Sequence, residues 1–153
     1  MSAFLLDTSF LITLVDDSRP HHAHAMLYLR EAVQRGATLY LSAVVVSEFH
    51  AKQPITDLPL RNFRVLPFNI DHAMMAGELA SALRRDAVKD DLKLLAQAVC
   101  TSIPYVLTED ESTLAKFARQ LEAAGKSSVK AVLLKDGFES AWFENGQGRI
   151  PGA

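Results

Sequence analysis

Cysteine is almost absent from this chain, which excludes a fold held together by disulfides. The 153 residues include one cysteine, Cys100, so no intramolecular disulfide can form. Cys100 lies in an apolar stretch with Leu94, Leu95, Val99 and Ile103. We therefore predict a buried, unreactive thiol.

An excess of charge of either sign is also absent. The chain has 16 Lys and Arg residues against 18 Asp and Glu residues, for a net charge of −2. This balance excludes a polycation that binds nucleic acid by bulk charge. A nucleic-acid enzyme would have to concentrate its basic residues close to its site.

Long hydrophobic runs are missing as well. No apolar run approaches the roughly eighteen residues that a membrane span needs. No basic segment precedes the first apolar run, and Asp7 and Asp16 come too early for a signal peptide. We expect a cytoplasmic protein with no membrane segment. The hydrophobic fraction of 49% and the charged fraction of 22% fit one globular domain.

Short apolar runs alternate with segments of helical periodicity along the chain. We predict strands at Ala3–Leu6, Thr38–Leu41, Tyr105–Leu107 and Val129–Leu134, with a shorter extended piece at Phe63–Pro67. Helices are predicted at Ser9–Val15, His21–Arg35 and Val44–Lys52, around residues 73–83, 92–103 and 114–121, and as a final turn carrying Phe138 and Trp142.

This alternation predicts an α/β fold with a parallel sheet of four to five strands between two layers of helices. The folded domain is expected over residues 1–135, with residues 136–153 as a C-terminal extension. The Gly and Pro content of Asn145–Ala153 predicts a disordered tail. In such folds, ligands bind at the carboxyl ends of the strands.

Four acidic residues fall where that edge of the sheet is expected. Asp7 ends the first strand, Asp110 follows the third, Glu48 lies in the helix after the second, and Asp91 opens the long helix. Each has a structural alternative, because the three aspartates precede helices and could cap them, and Glu48 could be a solvated helix position. Taken together, they predict a carboxylate cluster.

A cluster of carboxylates favours a bound metal ion. Carboxylates that are held close together repel one another, and burial pushes protons onto them. A divalent cation removes that conflict, and Mg²⁺ prefers oxygen ligands.

The same four acids lie in segments that resemble the motifs of PIN-domain nucleases. Leu5–Ile12 looks like the family's opening motif, and Val46–Phe49 is similar to the second. Asp91–Ala98 resembles the third and Leu107–Asp110 the fourth. The likeness covers about residues 3–134 in the family's order. In size and layout, the chain also resembles the toxin half of a VapBC-type toxin–antitoxin pair.

The resemblance implies a metal-dependent endoribonuclease with a PIN-like three-layer α/β/α sandwich. Asp7, Glu48, Asp91 and Asp110 would be the catalytic residues and would hold Mg²⁺ or Mn²⁺ in a two-metal type of site. Water would attack the phosphodiester in line and leave 5′-phosphate and 3′-hydroxyl ends. Four neighbours are expected to orient the carboxylates or waters: Thr8, Ser9, Asp90 and Thr108.

The resemblance also implies partners. These are an RNA substrate, a small antitoxin protein whose Arg or Lys reaches into the carboxylates, and a second copy of the chain in a homodimer. The dimer surface is expected on exposed apolar helices near the N-terminus, at Phe10, Leu14, Met26 and Leu29.

Basic residues on either side of the third motif are candidates for holding RNA phosphates, although charge runs usually mark solvated faces. They are Arg61, Arg64, Arg84, Arg85, Lys89 and Lys93. A metal site at His21, His22 and His24 is disfavoured because no fourth ligand has suitable spacing. We expect a solvated helix end there.

Three other functions remain open. A haloacid-dehalogenase-type phosphatase also starts with a strand ending in Asp, and Lys89-Asp90-Asp91 imitates its later motif, but Ser9 stands where it needs a second Asp. A receiver domain needs an acidic pair where this chain has Asp7-Thr8. A PIN-like RNA- or protein-binding module without activity is disfavoured by the presence of all four acids.

Overall fold

Five parallel strands form the central sheet, as the alternation of elements predicted. The computed structural model describes residues 2–144, so the predicted disorder of Asn145–Ala153 lies outside the described residues. The strand order is β3-β2-β1-β4-β5. The strands are β1 (Ala3–Leu6), β2 (Thr38–Ser42), β3 (Arg64–Leu66), β4 (Tyr105–Thr108) and β5 (Lys130–Leu133). The extended piece at Phe63–Pro67 thus supplies the edge strand β3.

Helices cover both faces of this sheet. They are α1 (Thr8–Val15), α2 (His22–Arg35), α3 (Ala43–Lys52), α4 (Ile70–Ala82), α5 (Asp90–Thr101), α6 (Leu114–Ala123) and α7 (Ala141–Glu144). Helix α1 packs against α2 and α3, whereas α5 packs against α4 and α6. Right-handed crossovers from this strand order place the two groups on opposite faces. The result is the predicted three-layer PIN-like sandwich.

The apolar content of β1 explains its central place. Phe4, Leu5 and Leu6 are all fully buried, as expected for a parallel strand covered on both faces. Leu6 is paired with Leu41 of β2 on one side and with Leu107 of β4 on the other. The direction of strand addition reverses between β1 and β4. The crevice at their carboxyl ends is therefore the switch point where ligands bind in such sheets.

The helix α1 is buried, which corrects the predicted dimer surface. Phe10 is 0% exposed and Leu14 is 4% exposed. A helix that is apolar on all sides belongs in a core, and α1 packs between the sheet and two other helices. Of the four expected residues, Met26 is exposed and Leu29 is half-buried.

The prediction of a buried thiol at Cys100 was wrong. Cys100 is exposed, because it lies seven residues after Lys93 and so shares its side of α5. Partial burial is the main factor that raises the pKa of this thiol, and the charges of Asp71 and Glu78 add to the rise.

The start of the C-terminal extension packs onto the sheet. The rings of Phe143 and Phe4 lie 5.0 Å apart between centroids, and those of Phe138 and Tyr28 lie 4.9 Å apart. Trp142 lies in α7 as predicted, but Phe138 precedes that helix because a 3-10 turn ends at Gly137, whose φ is 81°. Over residues 2–144, every helix is too short or too polar to cross a bilayer.

Candidate active site

Asp7 lies at the carboxyl end of β1, where the chain turns into α1. Its backbone N–H donates to the carbonyl of Leu107 at 3.0 Å, which extends the pairing of β1 with β4. Its Oδ1 accepts the backbone N–H of Thr8 at 2.8 Å. Asp7 therefore caps α1, the structural role that its position also allowed, and the same cap fixes the carboxylate in the crevice.

Two hydroxyls hold the other oxygen of this carboxylate. Thr108 donates to Oδ2 of Asp7 at 2.7 Å, and Ser9 donates to the same atom at 2.9 Å. Each hydroxyl also accepts a backbone N–H from the segment after β4, Thr108 from Asp110 at 2.8 Å and Ser9 from Glu109 at 2.9 Å. The network ties the ends of the two central strands together at Asp7.

Glu48 reaches the same crevice from α3. Ser42 caps that helix by accepting the backbone N–H of Val44 at 3.1 Å. The Oε1 atom of Glu48 accepts the hydroxyl of Thr8 at 2.8 Å. Since Thr8 adjoins Asp7, Glu48 is joined to the network and is not simply solvated.

Asp91 and Asp110 come from the opposite side of the crevice. Asp91 is in the first turn of α5, where the helix has no side-chain cap, so a capping role does not explain it. Asp110 follows β4 and accepts the backbone N–H of Thr113 at 2.9 Å and the hydroxyl of Thr113. Asp110 therefore does stabilise the turn that leads into α6.

Burial and mutual repulsion disfavour the charged forms of Asp7 and Asp91. Burial raises the pKa of Asp7 to about 6 despite the hydrogen bonds from Thr108 and Ser9, and the charge of Asp91 raises it further. Burial also raises the pKa of Asp91, and the charges of Asp110 and Asp90 act in the same direction. Asp7 and Asp91, and Asp91 and Asp110, are thus near enough to feel each other's charge.

Asp110 behaves differently. Burial alone would raise its pKa, but the hydrogen bonds from Thr113, Leu114 and Ser112 together lower it below its usual value. Asp110 therefore stays charged most readily among the three aspartates.

The carboxylates are arranged without a closed metal cage. Between residues 2 and 144, no three Asp, Glu, His or Cys side chains stand close enough together to hold an ion among them. In the same part of the chain, the four acids have no Lys, Arg or His within salt-bridge distance. Other carboxylates do have such partners, as Glu122 has in Lys130 at 2.8 Å.

The remaining predicted site residues take several positions. Asp90 is 3.2 Å from the ammonium of Lys93 and so acts on Asp91 mainly through its charge. The guanidinium of Arg64 lies 5.9 Å from the ring centre of Tyr40 on the β3 side. Arg61 is exposed in the turn before β3. The others are exposed or half-buried in the loop between α4 and α5: Arg84, Arg85 and Lys89.

Sequence reasoning missed Glu109 as a structural residue of the site. Its carboxylate accepts the hydroxyl of Thr13 at 2.6 Å and lies 2.6 Å from Nδ1 of His21. The prediction of a solvated helix end at the three histidines was wrong, because their rings are partly buried and hydrogen-bonded. His22 contacts the carbonyl of Thr13 at 2.9 Å, and His24 contacts the carbonyl of Leu134 at 2.8 Å. The position of Glu109 inside the fourth motif, directly before Asp110, was the sequence feature that could have indicated a role for it.

Known structures share this fold at low sequence identity. VapBC2 from Rickettsia felis, bound to a DNA fragment from its promoter, superposes with a TM-score of 0.65 at 14% identity, over 86% of this chain and 98% of that one. VapBC-1 from nontypeable Haemophilus influenzae gives 0.59 at 16% identity, over 87% and 98%. FitAcB from Neisseria gonorrhoeae gives 0.55 at 19% identity, over 86% and 98%.

The sequence itself is assigned by a family profile. No curated protein sequence matches the chain. The profile of the PIN domain, however, matches residues 4–120, which include the four acids and run from β1 into α6. The chain belongs to the PIN-domain family.

Proposed function

We propose that this protein is a metal-dependent endoribonuclease and the toxin half of a VapBC-type toxin–antitoxin pair. One observation carries the proposal. At the switch point of the sheet, Asp7, Asp91 and Asp110 influence one another through their charges, and Glu48 is linked to the residue after Asp7 through the hydroxyl of Thr8. Within residues 2–144, none of these four acids has a basic partner within salt-bridge distance. Burial raises the pKa of Asp7 to about 6, and the charge of Asp91 adds to the rise. A bound cation would offset the repulsion between the carboxylates and keep them charged.

The donor set fits a hydrated magnesium ion. Mg²⁺ keeps several waters and is usually bound by one or two carboxylates together with substrate phosphates, so a closed protein cage is not required. A carboxylate has about four lone-pair positions, and three of those on Asp7 accept hydrogen bonds from Thr8, Ser9 and Thr108. A position on Oδ1 is left for a cation. Asp7 and Asp91 would hold the ion, and Glu48 and Asp110 are the other candidate ligands.

The chemistry then follows from the positions of this chain's own groups. The bound ion would supply a nucleophilic hydroxide at neutral pH and neutralise charge on the phosphate. Ser9 and Thr108 hold the Asp7 carboxylate in one orientation. Thr8 does the same for Glu48, which would accept a proton from the attacking water. Thr113 holds Asp110.

Cleavage of a labelled single-stranded RNA tests this proposal. We expect cutting with Mg²⁺ or Mn²⁺, products with 5′-phosphate ends, and no cutting in excess EDTA. The variants Asp7→Asn and Asp91→Asn keep the side-chain shape but lose the charge, and should each be slower by orders of magnitude. Asp17→Asn, at an exposed aspartate outside the cluster, is the control. Cleavage in excess chelator, or parental rates in both variants, would contradict the proposal. RNA binding without cleavage would point to a binding module.

The proposed antitoxin is a small protein that presents a basic side chain to the carboxylates. An Arg there could form paired hydrogen bonds with the acids and replace the charge of the ion. Three of the solved structures of similar fold are VapBC or FitAcB assemblies. Co-expression with the product of an adjacent small gene checks the idea. A neighbour that neither binds nor suppresses cleavage would contradict the toxin assignment and leave the nuclease in place.

A homodimer is also proposed. Since Phe10 and Leu14 are buried, Met26 and Leu29 are the candidates that remain from the expected surface. Sedimentation at tens of micromolar protein distinguishes a dimer from a monomer, and a monomer would contradict this proposal.

A further inference from the structure

The six basic residues near the third motif differ in how the fold holds them. Most extend into solvent or already have an acidic neighbour, as Lys93 has in Asp90 at 3.2 Å. Arg84, directly before Arg85, is exposed. Arg85 is half-buried. Two adjacent arginines therefore differ in solvent exposure.

The side chain of Arg85 is held in place by an aromatic ring. Its Cζ atom lies 5.0 Å from the ring centre of Phe117 in α6, and a guanidinium plane packs well over such a face. Its Nε is buried and, within the described part of the chain, has no hydrogen-bond acceptor. A buried donor without an acceptor is unfavourable, so the packing on Phe117 has to offset this cost.

The backbone around Arg85 is fixed as well. Its N–H donates to the carbonyl of Ala80 at 2.9 Å, which closes the end of α4. Arg84 takes a left-handed conformation with φ 58°, a cost that a fold bears only where the chain direction is determined by its surroundings. The guanidinium therefore does not depend on a flexible loop for its position.

Arg85 is linked to the carboxylate cluster through α6. Phe117 donates its N–H to the carbonyl of Thr113 at 2.8 Å, so the two residues are one turn apart on α6, a separation of about 5.4 Å along the axis. Thr113 contacts Asp110 directly and its hydrogen bond to Asp91 affects the pKa of that acid. Arg85 thus packs against the helix whose first turn adjoins Asp110.

We propose that Arg85 binds a backbone phosphate of the RNA next to the one that is cleaved, and so aligns the strand across the carboxylates. This inference rests on the proposed nuclease function. A planar guanidinium offers parallel N–H groups that match phosphate oxygens, which a lysine cannot do. Arg85 is thus a substrate-positioning residue, whereas Arg84 adds only diffuse charge.

The test compares Arg85→Gln with Arg84→Gln, which removes the same charge one residue away. Both are made in an Asp91→Asn background, and binding of a labelled mixed-sequence RNA oligonucleotide is followed by fluorescence anisotropy between about 50 and 200 mM salt. We expect Arg85→Gln to bind about tenfold more weakly and to reduce the salt slope by about 0.7, the contribution of one phosphate contact to a single strand. Arg85→Lys should restore the slope but only part of the affinity. Arg84→Gln should stay within about twofold of its parent, as expected for diffuse charge.

Thermal melts check that Arg85→Gln remains folded. The Arg85→Met variant keeps an apolar side chain packed on Phe117 but removes the charge, so it should bind RNA as weakly as Arg85→Gln. With Asp91 restored, Arg85→Gln should raise KM and leave kcat within about threefold. Equal affinity and slope in Arg85→Gln and its parent, or equal losses in the Arg84 and Arg85 variants, would overturn the inference alone. A parent that neither binds nor cleaves RNA would overturn the proposed function with it.

Discussion

The hydroxyl of Thr108 donates a hydrogen bond to the carboxylate of Asp7 at 2.7 Å, and this contact joins the ends of β1 and β4, the two parallel strands between which the order of strand addition reverses. The same hydroxyl accepts the N–H of Asp110. Thr108 is fully buried, so water cannot replace either bond. One side chain thus connects the acid from the first motif to the acid from the fourth.

Thr108→Val tests that connection. The variant keeps the shape of the side chain but leaves the Asp110 N–H and one oxygen of Asp7 without this partner, and should lower the free energy of unfolding by about 1–3 kcal/mol. Urea unfolding monitored by circular dichroism measures the change. Thr108→Ser retains the hydroxyl and should recover most of the polar contribution. If Val and Ser were equally tolerated, the hydroxyl would not be what holds the two strand ends.

The stability of the metal-free protein should depend on pH through Asp7. Its pKa rises from 3.8 to about 6 on folding, so the folded state disfavours the charged form. Below about pH 4 both states are protonated and there is no penalty. The penalty grows as the pH rises through 6 and is then constant, up to about 3 kcal/mol.

Asp7→Asn should remove this penalty. Without metal, the variant should gain stability relative to the parent between pH 4 and 7, while the exposed Asp17→Asn control follows the parent. Urea midpoints at a series of pH values in EDTA measure the difference. Parallel pH profiles for the parent and Asp7→Asn would show that the burial of Asp7 carries no such cost.

Asp110→Asn should have the opposite effect in the same site. The pKa of Asp110 is lowered by its hydrogen bonds, so its charged form contributes stability that is present above the unfolded pKa and is lost as the pH falls through the folded one. Losing part of a cap-like contact should cost about 1 kcal/mol near neutral pH. Urea unfolding measures this, and an equal or higher stability for Asp110→Asn would contradict the role assigned to Thr113.

Metal binding has a readout that does not require catalysis. An ion that binds only the folded state stabilises it, by about 2.7 kcal/mol at a hundred times its Kd. We expect Mg²⁺ to raise the melting temperature of the parent and of Asp17→Asn, and to raise that of Asp7→Asn and Asp91→Asn much less. A similar rise in all four proteins would place the ion elsewhere.

Local sequence patterns predicted the sheet and the positions of the four acids well. The apolar run Ala3–Leu6 could only be buried on both faces, so its strand and the place of Asp7 followed from composition and chain order. The long helix of Leu92 and Leu95 was clear from its period, which placed Asp91 at its first turn.

Long-range polar pairings were beyond such reasoning. Gln97 is fully buried and accepts the hydroxyl of Ser42, 55 residues away, at 2.5 Å. It also donates to the carbonyl of Pro67 at 3.1 Å. No local period indicates which polar residue on an apolar helix will find partners on two other elements, because that depends on the assembled sheet.

Glu109 poses the same problem, and its contacts suggest a final test. The side chain is 15% exposed and holds Thr13 of α1 and His21 before α2 against the end of β4. Glu109→Ala should lower the free energy of unfolding by about 1–3 kcal/mol, since it leaves the buried hydroxyl of Thr13 without this acceptor. Glu122→Ala is the matched control, because its bond to Lys130 is exposed and should cost less than about 1 kcal/mol. A double-mutant cycle of Glu109→Ala with Thr13→Val should give a coupling energy of about 0.5–3 kcal/mol. Additive effects, with Glu109→Ala no more destabilised than the Glu122 variant, would mean that this contact does not help to hold α1 and the Asp7 cap against β4.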